Sequence, residues 1–295
     1  MLGNSIALLC AVTWSCAVIL LKLSGARIEP LALNLVKSLV GLPLLILTTY
    51  VFEDGLQFPV AKDTVLLLTS GAIGIGIADG IVLRAMRFLG ASHIAILECL
   101  FSPFVILLSV LWFDERPTAI MLLGGLFILA SLLFLTPDAE EENSTRKIVT
   151  RKELTKGTIL MAGGMLTMAC GIVMVKPLFH AVPLVSLVSI RMIGGTIAAA
   201  TLFFLSKEPI SNITNVFKTP HKLQLFAACF FSSYMSIILW IAGYKYLQAT
   251  VAALLNQTST VFTVLLAVIF LKEKLTRGKI LATISAIIGV ILLTF

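Results

Sequence analysis

The chain has 295 residues with 59% hydrophobic and only 13% charged side chains, a mean hydropathy of +1.05 and a net charge of +7. A soluble domain carries roughly 25% charged residues, so this composition excludes an ordinary water-soluble fold and points to lipid as the solvent. The surplus positive charge lies in the connections between apolar runs, which suits anionic lipid headgroups and argues against a nucleic-acid partner.

Ten apolar runs follow one another, at 4–24, 31–52, 64–86, 92–113, 118–136, 157–177, 183–206, 223–247, 249–271 and 278–295. Each approaches the roughly 20 residues a helix needs to cross a bilayer. The first lacks a basic leader and reads as a retained helix, not a cleaved signal peptide. Glu29-Pro30, Glu53-Asp54-Gly55, Asp114-Glu115-Arg116-Pro117 and Val182-Pro183 punctuate the runs. Pro43 and Pro103 fall inside runs and are expected to interrupt their helices. Residues 137–156 form a charged linker, with Asn143-Ser144-Thr145 matching a glycosylation acceptor. The five cysteines lie in apolar runs without paired spacing, as small packing residues and not metal ligands.

The chain repeats itself. At an offset of 154, Gly3, Thr13, Cys16 and Lys22 fall on Gly157, Thr167, Cys170 and Lys176. At an offset of 158, Leu89, Phe104, Glu115 and Thr118 fall on Leu247, Phe262, Glu273 and Thr276. Two copies, 1–136 and 157–295, are therefore expected. Five helices per copy is odd, so the second copy enters the membrane from the opposite side. This predicts an all-α membrane protein of ten transmembrane helices in two inverted five-helix repeats, the architecture of many alternating-access carriers. The distribution of Lys and Arg puts both termini outside.

Charges inside a bilayer are costly and mark working positions. Lys37, Asp79, Glu98 and Arg191 all lie within runs. Each also has a bland reading, as a snorkelling side chain or an interhelical ion pair. Ser102 shares a helix face with Glu98, and Asn256, Thr260 and Thr263 form a matching polar stripe in the second copy. Ser233, Ser236, Trp240 and Tyr244 read as one face of the eighth run, and Trp14 lies too deep for an interface anchor, unlike Tyr50 and Trp112. The same positions serve equally as packing or interhelical hydrogen bonds. Glycines crowd the third, sixth and seventh runs, where they allow close helix approach. His93, His180 and His221 stand near run ends, where solvated positions are expected.

Ser102-Pro103-Phe104 with Asp114-Glu115-Arg116-Pro117-Thr118, echoed by Lys272-Glu273-Lys274-Leu275-Thr276-Arg277-Gly278, resembles the EamA-type repeat of the drug/metabolite transporter superfamily. Arg191 stands where that family often has Arg, and Lys37 replaces it in the first copy. The resemblance spans nearly the whole chain and implies a ten-helix transporter of small metabolites, often an exporter.

The expected function is a multi-pass secondary transporter of the plasma or inner membrane, moving a small polar or amphipathic metabolite such as an amino acid by alternating access. Trp14, Lys37, Asp79, Glu98, Ser102, Arg191, Ser236, Trp240, Tyr244, Asn256 and Thr260 are the expected substrate-binding residues. Glu98 and Asp79 are the candidate proton carriers, Glu98 foremost, as intramembrane acids are in pumps. No H-E-x-x-H, G-x-S-x-G or Walker pattern occurs, so neither an enzyme nor direct use of ATP is expected, and no cofactor or metal. A channel-like protein or a non-transporting scaffold is the alternative.

Overall fold

Proline and glycine place most helix boundaries in the computed structural model, which describes residues 2–25, 28–113, 117–134, 150–179, 181–246 and 249–294. The side chains of residues 2, 217, 241, 244, 245, 249–254, 257, 293 and 294 lie outside this description, as do the expected acidic turn 114–116, His180 and the linker segment 135–149. Helix α1 is Leu2–Ser24 and α2 is Pro30–Phe52. Helix α3 runs Ala61–Ala85, with a π-helical stretch Ala72–Ile77 in its middle. Helix α4 is Ala91–Phe113, broken at residues 99–100, and α5 is Ala119–Ser131 with a tighter last turn, Leu132–Phe134. In the second copy, α6 is Arg151–Val173 and α7 is Leu184–Phe204. A short helix, Pro209–Phe217, precedes α8, which spans 222–246 with a π-helical stretch Phe231–Met235. Helices α9, Ala249–Leu271, and α10, Arg277–Thr294, complete the chain.

Among the described residues, seven helices are long and apolar enough to cross a membrane, and Ala119–Phe134 and Thr258–Leu271 are shorter apolar helices. Most ends fall close to the expected ones. The exception is α6, which starts at Arg151 and not near 157. There Thr150 and Glu153 form a capping box, each side chain meeting the other's backbone N–H. These two reciprocal bonds let helix form through basic residues that read as linker.

Pro43 does not interrupt α2, which continues through it. Pro103 does disturb α4. It has no N–H to give the Cys99 carbonyl, which accepts instead from Ser102 N at 3.3 Å, and the chain tightens around residues 99–100.

The helices of each copy pack mainly on the other copy. Helix α1 lies against α8 and α9, α2 against α7 and α8, α3 against α6 and α7, and α5 against α10. Two crossings correspond under the sequence repeat. A Cβ added to Gly41 would meet Ser233 O at 2.6 Å, and one added to Gly195 would meet Ile75 Cβ at 2.7 Å. Gly41 and Gly195 are 154 apart, and Ile75 and Ser233 are 158 apart. The α2–α8 crossing of one copy is thus the α7–α3 crossing of the other. At the latter, Gly71 lies directly beneath the Arg191 backbone and Gly194 beneath that of Leu68, so even a methyl group has no room.

Two glutamates in interhelical turns clamp the copies together. Asp54 (φ 55°) and Gly55 (φ 104°) turn the chain after α2. Glu53 there accepts Val185 N and Ser186 N, both at 2.7 Å, capping α7. Lys272 (φ 52°) turns the chain after α9. Glu273 then accepts Ala91 N at 2.6 Å, Ser92 N at 3.2 Å and Ser92 Oγ at 2.7 Å, capping α4. A carboxylate at a helix N-terminus satisfies orphan amides and complements the dipole. The Glu273 clamp draws the first turn of α4 inside, so His93 is buried and not solvated, whereas His221 is exposed as expected.

Candidate functional site

Asn34, Lys37 and Ser38 form the inner face of α2, all buried. Lys37 donates to Asp79 Oδ2, so two of the expected residues form an ion pair between α2 and α3. Asn34 Nδ2 donates to Ile75 O at 3.2 Å and Gly76 O at 2.9 Å. Both carbonyls belong to the π-helical stretch, whose widened turn leaves backbone acceptors for a side chain to satisfy. Asp79 lies in the first turn of the α-helix that resumes after this stretch, so the bulge sets its direction.

Arg191 reaches the same region from α7. It is buried, its Nε donates to Ser70 Oγ at 2.9 Å, and Ser70 Oγ in turn donates to Gly171 O on α6. Its guanidinium lies over Gly74, and the charge of Asp79 acts on it. Asp79 is ion-paired with Lys37 and acts on Arg191 only through its charge, and the two cations are equivalents at an offset of 154.

A second polar group surrounds α1. Trp14 Nε1 donates to Glu98 Oε2 at 3.1 Å, which joins α1 to α4. Ser15 Oγ donates to Ser259 O on α9 at 2.9 Å, and Cys10 Sγ to Ser236 O on α8 at 3.4 Å. Thr260 faces α4, with Oγ1 3.4 Å from Cys99 Sγ and 3.5 Å from Ala95 O. Both side-chain polar atoms of Asn256, and Ser236 Oγ, are buried without a hydrogen-bond partner. Unsatisfied polar groups in an apolar interior are costly and mark positions where water or a ligand is accommodated.

The expected residues thus divide into an α2–α3–α7 cluster (Lys37, Asp79, Arg191) and an α1–α4–α8–α9 cluster (Trp14, Glu98, Ser236, Asn256). Ser102 is half-buried on α4. Trp240 is half-buried among apolar residues that include Leu178 and Val173. The single face expected for Ser233, Ser236, Trp240 and Tyr244 is not continuous. The π-helical stretch Phe231–Met235 shifts the phase, leaving Ser233 against α2 at Gly41 while the Ser236 backbone meets α1. The side chain of Tyr244 lies outside the described residues. Asn34 and Ser70 join the cluster without having been expected there, and Glu53 and Glu273, expected only as turn and repeat positions, cap helices. A buried Asn one turn from Lys37 on the same helix face was the available signal for the first.

The sequence matches the EamA-like transporter family over residues 1–136 and 155–295, two copies that account for nearly the whole chain. The chain belongs to the EamA-like transporter family. No curated relative matches it. A solved structure described as "Crystal structure of protein" is similar, with a TM-score of 0.64 at 15% identity, covering 99% of this chain and 98% of that one. At that identity the likeness shows a shared fold. As an EamA-family chain, this is a multi-pass membrane protein of the drug/metabolite transporter superfamily.

Proposed function

We propose that this EamA-family protein is a secondary exporter with ten transmembrane helices in two inverted five-helix copies. It moves a small polar or amphipathic metabolite bearing an anionic group, such as an amino acid, across the plasma or inner membrane by alternating access. The observation that carries this reading is the pair of buried cations, Lys37 and Arg191, in a group where Asp79 pairs with Lys37 and Arg191 meets Ser70. Charge is expensive within a bilayer, and a cluster with two cations for one carboxylate favours an incoming anion. A substrate carboxylate would compete with Asp79 for either cation. Glu98, Trp14, Asn256 and Ser236 would receive the polar remainder, where Asn256 offers both a donor and an acceptor.

The test is counterflow in proteoliposomes with a panel of amino acids and organic acids. Saturable counterflow supports a carrier, whereas non-saturating flux supports the channel reading and no flux the scaffold. Arg191→Ala should lower uptake of the transported compound at least tenfold, and Arg191→Lys should recover part of it. Unchanged kinetics in Arg191→Ala would remove the cation from the binding role.

Glu98 is the proposed proton carrier of the same cycle, with Trp14 orienting its carboxylate. Glu98→Gln keeps the shape and should preserve exchange while abolishing accumulation driven by a pH gradient. Accumulation that persists in Glu98→Gln assigns coupling elsewhere.

A further inference from the structure

Away from both clusters, a cleft of about 530 Å³ opens where the C-terminal ends of α1 and α3 meet the start of α2. Leu21, Leu33, Leu83 and Met86 form its floor and are buried. Lys22, Gly25 and Arg87 complete the lining, which among the described residues holds two cations and no acid. Lys22 Nζ donates to Met86 O and Leu89 O, which fixes the ammonium at the cleft over the turn between α3 and α4. Arg87 is exposed, and its Nη2 donates to Ile28 O at 2.8 Å, which turns the guanidinium toward the α1–α2 connection. That bond occupies one of five N–H groups on the planar fork, a shape that matches phosphate oxygens bidentately. Lys22 lies in the last turn of α1 and Arg87 in the turn after α3, at the ends of apolar helices where lipid headgroups are expected.

We propose that this cleft binds the phosphate headgroup of an anionic phospholipid from the surrounding bilayer. Arg87 grips the phosphate, Lys22 supplies the second charge, and the acyl chain lies along Leu21, Leu33, Leu83 and Met86. Charge and apolar area are both needed for such a ligand, since a basic rim alone attracts any anion and an apolar floor alone any acyl chain. Because Lys22 and Arg87 also tie α1 and the α1–α2 connection to the α3–α4 turn, an occupied cleft stiffens the first copy at this face.

The experiment uses the full-length protein in a neutral detergent. Thermal midpoints are measured with phosphatidylglycerol, with phosphatidylcholine of the same acyl chains, and with inorganic phosphate, while bound lipids are counted by native mass spectrometry. Phosphatidylglycerol should raise the midpoint by several degrees and be retained in the spectra, and the other two should do neither. Arg87→Gln should weaken retention at least fivefold, and Arg84→Gln, an exposed cation of α3 outside the lining, should not. Equal effects of the two phospholipids, an equal effect of inorganic phosphate, or equal losses in the two variants would each overturn the proposal. Should Lys22→Gln fail to fold, Arg87→Gln still decides the matter, since its side chain is exposed.

Discussion

Glu273 shows how an isolated-looking acid acquires a fixed charge. Burial alone would push its carboxyl up, but the Lys279 ammonium at 3.3 Å and the hydrogen bonds from Ser92 and Ala91 together bring it down to about 2 from 4.5. A depressed carboxylate stabilises the fold fully above the unfolded value near 4.5, and that contribution is lost as pH falls through about 2. At about 1.4 kcal/mol per unit, the contribution is about 3 kcal/mol. The thermal midpoint of the detergent-purified protein should therefore drop between these pH values. Glu273→Gln should destabilise the protein at neutral pH and flatten that drop, because it removes the buried carboxylate that meets Lys279 and caps α4. Adding Lys279→Met should restore part of the loss. Depth within an apolar run was enough to single out Lys37, Asp79, Glu98 and Arg191 from the sequence. Which charge meets which was not legible, because pairing depends on helix rotation. A turn glutamate such as Glu273 looks like any solvated loop acid until the helix end it caps is known.

Helix ends marked by Pro30 and Pro183 were legible because proline fixes its own backbone and that of the residue before it. The early start of α6 was also written in the chain, as Thr150 and Glu153 three residues apart, but the neighbouring basic residues masked it. The π-helical stretches had no such signature. They arise where α3 and α8 adapt to a crossing helix, and each displaces the polar face that a uniform 3.6-residue period assigns. Pro103→Ala in α4 should return the amide that Cys99 O lacks, raising stability by up to about 1 kcal/mol. If the break bends during the cycle, the same change should slow transport several-fold, as counterflow rates will show. The two glutamate clamps allow a sharper test. In the proposed ten-helix topology, Glu53 would lie on the face of the termini and Glu273 on the opposite face. Glu53→Gln should raise labelling of a cysteine reporter in the α2–α7 cluster by membrane-impermeant maleimide from the first face only, and Glu273→Gln from the second only. Labelling that rises from both faces in either variant would mark the clamps as general struts.

Among the described residues, the helices of each copy pack mainly on those of the other. Residues 1–136 expressed alone should therefore remain protease-sensitive in membranes. Co-expression with 150–295 should recover protease resistance and transport. Independent folding of the first fragment would contradict the interlocked packing. The close crossings should be as intolerant as they are tight, so Gly71→Leu and Gly194→Leu should each abolish the folded protein, read by gel filtration in detergent.

The twinned crossings carry one more consequence. If the copies were identical in sequence as well as fold, exchanging their conformations would turn an inward-open carrier into an outward-open one of equal energy. An unloaded carrier of that kind would rest equally on either side. Only positions where the copies disagree can tilt that balance, among them Ile75 against Ser233, Lys37 against Arg191 and Glu98 against Asn256. In the proposed alternating-access cycle, such mismatches would set the side on which the empty protein waits, and substituting one member of a pair by its twin should shift that resting balance.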